Sequence, residues 1–175
     1  SAASRAVETA RSSRAAGSGV VVIARSCTSR GGACPDDHYP DRVLGFGVDI
    51  GGSGIKGCLV DLDKGELQGD RLRIETPQPS LPDHVYDVVA RIVDSFGWDG
   101  RIGVTFPGVI KNGVAHTAAN VDESWLGTHL AEGLASRIPG TVQTLNDADA
   151  AGIAEMRYGA GRDKRGIVLM LTFGT

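Results

Sequence analysis

Gly47-Val48-Asp49-Ile50-Gly51-Gly52-Ser53-Gly54-Ile55-Lys56 reads as the end of one strand, a glycine turn and the start of a second strand. Val43, Leu44, Phe46, Val48 and Ile50 give the first part the apolar, β-branched character of a buried strand. Gly51-Gly52-Ser53-Gly54 breaks it, and Ile55 to Leu62 resumes, so the stretch predicts a hairpin. Little side chain stands between the backbone of such a turn and a ligand. Its consecutive N–H groups make a concavity suited to anions. Asp49, just before the turn, is placed to hold a hydrated Mg2+ against a phosphate. Taken alone, these residues also fit an ordinary glycine hairpin with a surface acid.

Two other glycine motifs are excluded. A Walker A loop requires Gly-x-x-x-x-Gly-Lys-Ser/Thr followed by a helix, whereas Lys56 here is followed by Gly57 and a strand-like segment. A dinucleotide fingerprint also opens a helix after its glycines, and none is readable.

The chain has 175 residues, 41% hydrophobic and 22% charged, which suits one globular domain. A net charge of −3 argues against a general nucleic-acid surface. The apolar runs are too short to span a membrane. Three cysteines, Cys27, Cys34 and Cys58, argue against a disulfide framework and for a reducing, cytoplasmic setting. Cys58 is expected to be a small buried apolar residue. The histidines His38, His84, His116 and His129 are scattered and form no metal-ligand spacing. Residues 1–42 are rich in Ala, Ser, Arg and Gly, with Glu8 the lone acid before Asp36. They read as a disordered or non-native extension.

Beyond the hairpin, a turn at Lys64-Gly65-Glu66 leads to a third strand, Leu67 to Glu75, with Leu72 and Ile74 alternating against Arg71 and Arg73. The proline-rich segment Thr76 to Pro82 is a connector. A helix is expected from an Asp83 cap to Phe96, with Val85, Val88, Val89, Ile92 and Val93 at helical spacing. A fourth strand, Arg101 to Thr105, leads into Phe106-Pro107-Gly108, and Asn112-Gly113 predicts a small hairpin. Then come a helix over Leu126 to Ile138, a fifth strand over Thr141 to Leu145, an alanine-rich helix through Tyr158 and a last strand over Ile167 to Leu171. The order predicts an α/β fold, a three-strand meander plus parallel strands flanked by helices. Asp49, Pro107-Gly108 and Asn146-Asp147 all fall at carboxyl ends of strands, where ligands of such sheets gather.

These residues resemble a known family. Gly47 to Ser53 is similar to the first phosphate loop of the actin-like ATPase and sugar-kinase superfamily. Asn146-Asp147-Ala148 resembles the catalytic segment of its ROK sugar-kinase branch, and Leu171-Thr172-Phe173-Gly174-Thr175 resembles the opening of a second phosphate loop. Thr76-Pro77-Gln78-Pro79, the stretch His116 to Trp125, and Asn146 to Gly152 together resemble the actinobacterial polyphosphate glucokinases. The likeness runs from about Leu44 to Thr175. It implies the N-terminal lobe of an actin-like, ribonuclease H-like fold over residues 43–171, with a C-terminal lobe beginning at 172–175.

The resemblance also implies an activity: transfer of a phosphoryl group from polyphosphate, and from ATP, to the 6-hydroxyl of glucose. It implies Mg2+ and a homodimer, while the charge and the short apolar runs noted above lead us to expect neither nucleic acid nor membrane as a partner. Asp147 matches the general base that takes the proton of the sugar hydroxyl; the bland reading is a helix cap, for which Asp149 is better spaced. Asn120 and Asn146 match positions that hydrogen-bond glucose, and Gly108, after Pro107, would let the backbone approach the sugar. Asp49 would orient Mg2+ through water, and Gly51, Gly52, Ser53 and Gly54 would cradle phosphate. Lys56 either reaches phosphate or is a solvated strand lysine. Thr172, Gly174 and Thr175 would meet the donor from the opposite side. Trp125 is either a core pin for its loop or a sugar platform. A fragment holding one lobe is expected to be inactive, because two lobes close to complete such sites. An ATP-only glucokinase of the same branch is the nearest rival reading. A sugar-sensing repressor is another, but residues 1–42 lack the helical periodicity of a helix-turn-helix.

Overall fold

The computed structural model describes residues 43–169 and 171. The expected extension at 1–42 and the expected second phosphate loop at 172–175 lie outside the described residues. β1 (Leu44–Ile50) and β2 (Ile55–Asp61) form the hairpin, with Asp49 opposite Lys56 and Ile50 opposite Ile55. Asp61 secures the next turn. It is buried, and its Oδ1 accepts from the N–H groups of Asp63 and Lys64, each at 3.0 Å. β3 (Glu66–Ile74) then pairs antiparallel with β2. The ladder bulges between Gly57 and Leu59, where β3 advances from Leu72 to Gln68. Cys58 fills the bulge, its Sγ 3.7 Å from the Gln68 carbonyl oxygen, and burial pushes its thiol pKa up.

α1 (Pro82–Ser95) starts one residue before the expected Asp83 cap. Its N-cap is Leu81, without a side-chain cap bond, because Pro82 takes the first helical position where a missing N–H costs nothing. Asp83 instead lies in the first turn and binds Arg137, whose guanidinium also reaches Asp87, each at 2.9 Å. Tertiary burial holds this helix. Val85, Val89, Ile92 and Val93 are fully buried against Phe46, Val48 and Ile50 of β1, and burying each such side chain is worth about 1.5–3 kcal/mol.

β4 (Arg101–Phe106) pairs parallel with β1, and β7 (Thr141–Asn146) pairs parallel with β4. The sheet order is therefore β3-β2-β1-β4-β7, a mixed sheet of meander plus parallel strands as the sequence predicts. β5 (Ile110–Lys111) and β6 (Val114–Ala115) make the small Asn-Gly hairpin. α3 (Asp147–Arg157) packs on β7 and β4, and Tyr158, just past its end, donates its hydroxyl to the Leu62 carbonyl at 2.5 Å.

The expected helix over Leu126 to Ile138 is much shorter. A 3-10 turn covers Glu123–Trp125, and α2 spans only Leu130–Ala135. The intervening residues pair with β6 instead: Gly127 N–H reaches the Ala115 carbonyl at 2.8 Å, and Ala115 N–H reaches Thr128 at 3.0 Å. Gly127 adopts a left-handed φ of 78° to do so. The strand expected over Ile167 to Leu171 is absent among the described residues, where Ile167, Val168 and Leu169 are irregular and exposed. They have no ladder partner there, so the apolar run lacks the cross-strand bonds and packing that define a strand.

Candidate functional site

The phosphate-loop candidate is braced through its own carbonyls. Gly51 N–H donates to the Gly54 carbonyl at 3.2 Å, Thr76 Oγ1 donates to the Gly51 carbonyl at 2.5 Å, and Arg73 Nη2 donates to the Ser53 carbonyl at 2.9 Å. Three loop carbonyls are thus already engaged. What the loop offers a ligand is weighted toward N–H donors, the polarity that an anion needs. Thr76 and Arg73 are contributions that sequence reasoning missed; they lie 25 and 20 residues along the chain from their partners, and the path of β3 brings them here.

Asp49 is 6% exposed at the end of β1. Its Oδ1 accepts from Thr105 Oγ1 at 2.8 Å, and its Oδ2 stands 3.4 Å from Lys56 Nζ. Lys56 is therefore the cross-strand ion-pair partner of Asp49, not a free solvated lysine. Thr105 was likewise invisible in the sequence, being the β4 residue opposite Asp49 in the parallel register. A carboxylate offers about four lone-pair sites, so Asp49 keeps capacity for a hydrated divalent cation. Among the described residues no group of three His, Cys, Asp or Glu could hold a metal ion. A cation here would draw its remaining ligands from water and a bound phosphate, the usual arrangement for Mg2+.

On the other side of the loop, Asn120 comes against Gly52. A Cβ on Gly52 would stand 2.7 Å from the Asn120 carbonyl oxygen. Asn120 is exposed, with a left-handed φ of 61°. Its loop is pinned through Ser80: the Ser80 hydroxyl accepts from Asp122 N–H at 2.9 Å, and Trp125 Nε1 donates to the Ser80 carbonyl at 2.7 Å. Trp125 has no exposed surface and packs 4.8 Å from the Phe106 ring. It is the core pin of the loop, and the sugar-platform alternative is set aside.

Asn146 is the N-cap of α3, its Oδ1 accepting from Ala148 and Asp149 N–H at 2.9 and 3.1 Å. The cap is thus Asn146, whereas Asp149 donates to it through its own N–H. Asn146 also donates Nδ2 to the Gly108 carbonyl at 3.0 Å, which leaves one amide hydrogen for a ligand. Gly108 lies so close to the Thr117 carbonyl that any side chain there would collide with it. Asp147 is exposed, with Oδ1 accepting from Ala148 N–H at 2.8 Å. Its carboxylate faces solvent rather than a protein cation among the described residues.

β1, β4 and β7 run parallel and adjacent. The glycine loop and Asp147 therefore leave the same edge of the sheet, about 10 Å or two strand spacings apart. Asp49, Gly51, Gly52, Ser53, Gly54, Lys56, Gly108, Asn120, Asn146 and Asp147 are brought to one edge. Thr172, Gly174 and Thr175 lie outside the described residues.

Comparisons with known proteins bear on the family and the fold. The ROK family model matches residues 45–175. A polyphosphate glucokinase of Mycobacterium tuberculosis (strain ATCC 25618 / H37Rv) is 56% identical over 132 residues, which cover 75% of this chain and 50% of that protein. The crystal structure of an inorganic polyphosphate/ATP-glucomannokinase from Arthrobacter sp. strain KM is similar with a TM-score of 0.66 and 50% identity, covering 69% of this chain and 51% of that one. A ROK glucokinase from Streptomyces griseus, solved with glucose and AMPPNP, has a TM-score of 0.57 and 30% identity, covering 69% of this chain and 38% of its own. The chain spans about half the length of the mycobacterial relative it matches. Sheet order, loop and matched residues converge: the chain belongs to the ROK family and has the α/β fold of its sugar kinases.

Proposed function

We propose that this chain is the N-terminal lobe, residues 43–171, of a glucokinase that transfers a phosphoryl group from inorganic polyphosphate, and from ATP, to the 6-hydroxyl of glucose. The contact between Gly52 and Asn120 carries the reading, because it sets an anion-binding loop directly against a sugar-binding candidate. In this reading Asn120, Asn146 and the Gly108 backbone hold glucose. Asp147 accepts a hydrogen bond from the 6-hydroxyl and takes its proton as the new O–P bond forms. The bond from phosphorus to the donor oxygen breaks, and the donor leaves one phosphoryl group shorter. Little covalent work falls to the protein, so alignment and charge neutralisation dominate. Gly51, Gly52, Ser53 and Gly54 supply donors to the phosphate, and Lys56 supplies positive charge. When bound, Mg2+ offsets developing negative charge on the phosphoryl oxygens, and Asp49 would hold it through water.

Thr172, Gly174 and Thr175 would open the second lobe and meet the donor from the opposite side. A cytoplasmic, homodimeric protein belongs to the same reading. A chain limited to residues 1–175 is then inactive, because the donor site closes between lobes. The test is glucose 6-phosphate formation by the full-length protein with Mg2+ and either polyphosphate or ATP. Product with both donors is expected. Product with ATP alone would make it an ATP-only glucokinase, and product with neither would refute the kinase reading.

A further inference from the structure

Three strands carry a transverse row of charge at the loop. Asp49 of β1 is in register with Lys56 of β2, and Lys56 with Arg73 of β3. Lys56 is paired by Asp49 at 3.4 Å. Arg73 is different: it is exposed, and among the described residues its guanidinium has no carboxylate partner. It lies flat across the loop, so that a Cβ on Gly54 would stand 2.6 Å from Nε and 2.7 Å from Cζ. One donor is spent on the Ser53 carbonyl at 2.9 Å; a guanidinium has five. A cation is therefore fixed at the lip of an anion-binding turn, with most of its donors unspent.

Its flank matters. In the sheet order β3-β2-β1-β4-β7, the loop between β1 and β2 separates Arg73 on β3 from Asp147 after β7. The reacting phosphoryl group must lie on the Asp147 side. A donor laid across the loop from there would extend toward β3. Polyphosphate continues there as a chain of charged phosphates, whereas ATP soon turns into an uncharged ribose and base.

We propose that Arg73 is a donor-binding residue that grips the polyphosphate chain beyond the transferred group and favours polyphosphate over ATP. This rests on the glucokinase reading above and deepens its donor specificity. Arginine suits the task, because its fork makes charge-assisted, bidentate bonds to phosphate oxygens. The lysine variant keeps the charge and loses the fork.

The experiment compares wild type, Arg73→Gln and Arg73→Lys in the full-length protein, with steady-state kinetics for long-chain polyphosphate and for ATP at several salt concentrations. Thermal melting confirms folding of each variant. Loss of one charge-assisted contact predicts that Arg73→Gln raises the polyphosphate KM about tenfold more than it raises the ATP KM, since losing the Ser53 brace touches both donors alike, while the glucose KM stays within about twofold. Arg73→Lys should recover part of the loss, and the salt dependence of the polyphosphate KM should be shallower in Arg73→Gln than in wild type. Equal losses with both donors would overturn the proposal, since bracing the loop through Ser53 would then be the whole role. An unchanged polyphosphate KM would overturn it too. Wild type that turns over ATP but not polyphosphate would refute the donor reading itself, and this inference with it, which the variants need not be made to reveal.

Discussion

The Cα of Gly52 faces Asn120 so closely that a single methyl group there would stand 2.7 Å from the Asn120 carbonyl oxygen and 2.9 Å from its Cβ. The glycine loop and the Asn120 loop therefore share a wall. Gly52→Ala should displace Asn120 without disturbing the hydrophobic core. A misplacement of this kind is expected to lower kcat/KM for glucose by about ten- to hundredfold. Steady-state kinetics with glucose as the varied substrate check this, and an unchanged value would remove the coupling between the loops.

Asn120 takes a left-handed φ of 61°, which alanine tolerates poorly and glycine well. Asn120→Gly is thus a cleaner removal of the amide than Asn120→Ala. It should raise the glucose KM about tenfold while kcat falls less, since a lost uniform binding contact acts mainly on KM. A glucose titration of turnover separates the two.

Asp147→Asn keeps the acceptor that Ala148 N–H uses at 2.8 Å but removes the base. Turnover should fall by about 100- to 10,000-fold, while glucose still binds by isothermal calorimetry. Near-normal turnover would refute the role.

Thr105 steadies the Asp49 carboxylate at 2.8 Å from the neighbouring strand. Thr105→Val preserves shape and deletes the bond. Partners of this kind are worth about 10- to 100-fold in metal affinity. The Mg2+ concentration for half-maximal rate should rise within that range or just below it, with the glucose KM unchanged.

Tyr86 buries a hydroxyl that lacks a hydrogen-bond partner among the described residues. Burial, with Asp83 nearby, pushes its pKa up to about 12 from 10.0. The folded state thus holds this proton more tightly than the unfolded chain. That contribution is fully present below about pH 10 and is lost as pH rises through about 12. Tyr86→Phe should flatten this alkaline loss and leave neutral-pH stability equal or higher, because an unsatisfied hydroxyl disappears. Urea unfolding across that pH window reads both effects.

The hairpin, the meander, α1 and the parallel pair β4 and β7 were legible because each carries its own period or glycine break. The strand-end placement of Asp49, Gly108 and Asp147 followed from that order. Thr76, Ser80 and Thr105 were not legible, since their partners lie 25, 42 and 56 residues away along the chain, and local pattern carries no register. Arg73 is exposed, as the wet half of an alternating strand should be, but nothing in the pattern announced that its guanidinium also folds over Gly54. The helix expected from Leu126 failed because apolar spacing cannot report that β6 captures the Gly127 backbone first. Asp149 lost the cap to Asn146, whose oxygen meets two N–H groups at once.

The amide of Asn146 ties two things with one group: its oxygen fastens the start of α3, and its nitrogen fastens the Gly108 turn after β4. Prying β4 and β7 apart at this edge would also unseat the helix that carries Asp147. Aspartate in its place would keep the cap and drop the cross-strand tether, having no hydrogen to give. Residue 146 is in this sense a hinge pin, and the Asp147 carboxylate next to it inherits whatever play the pin allows.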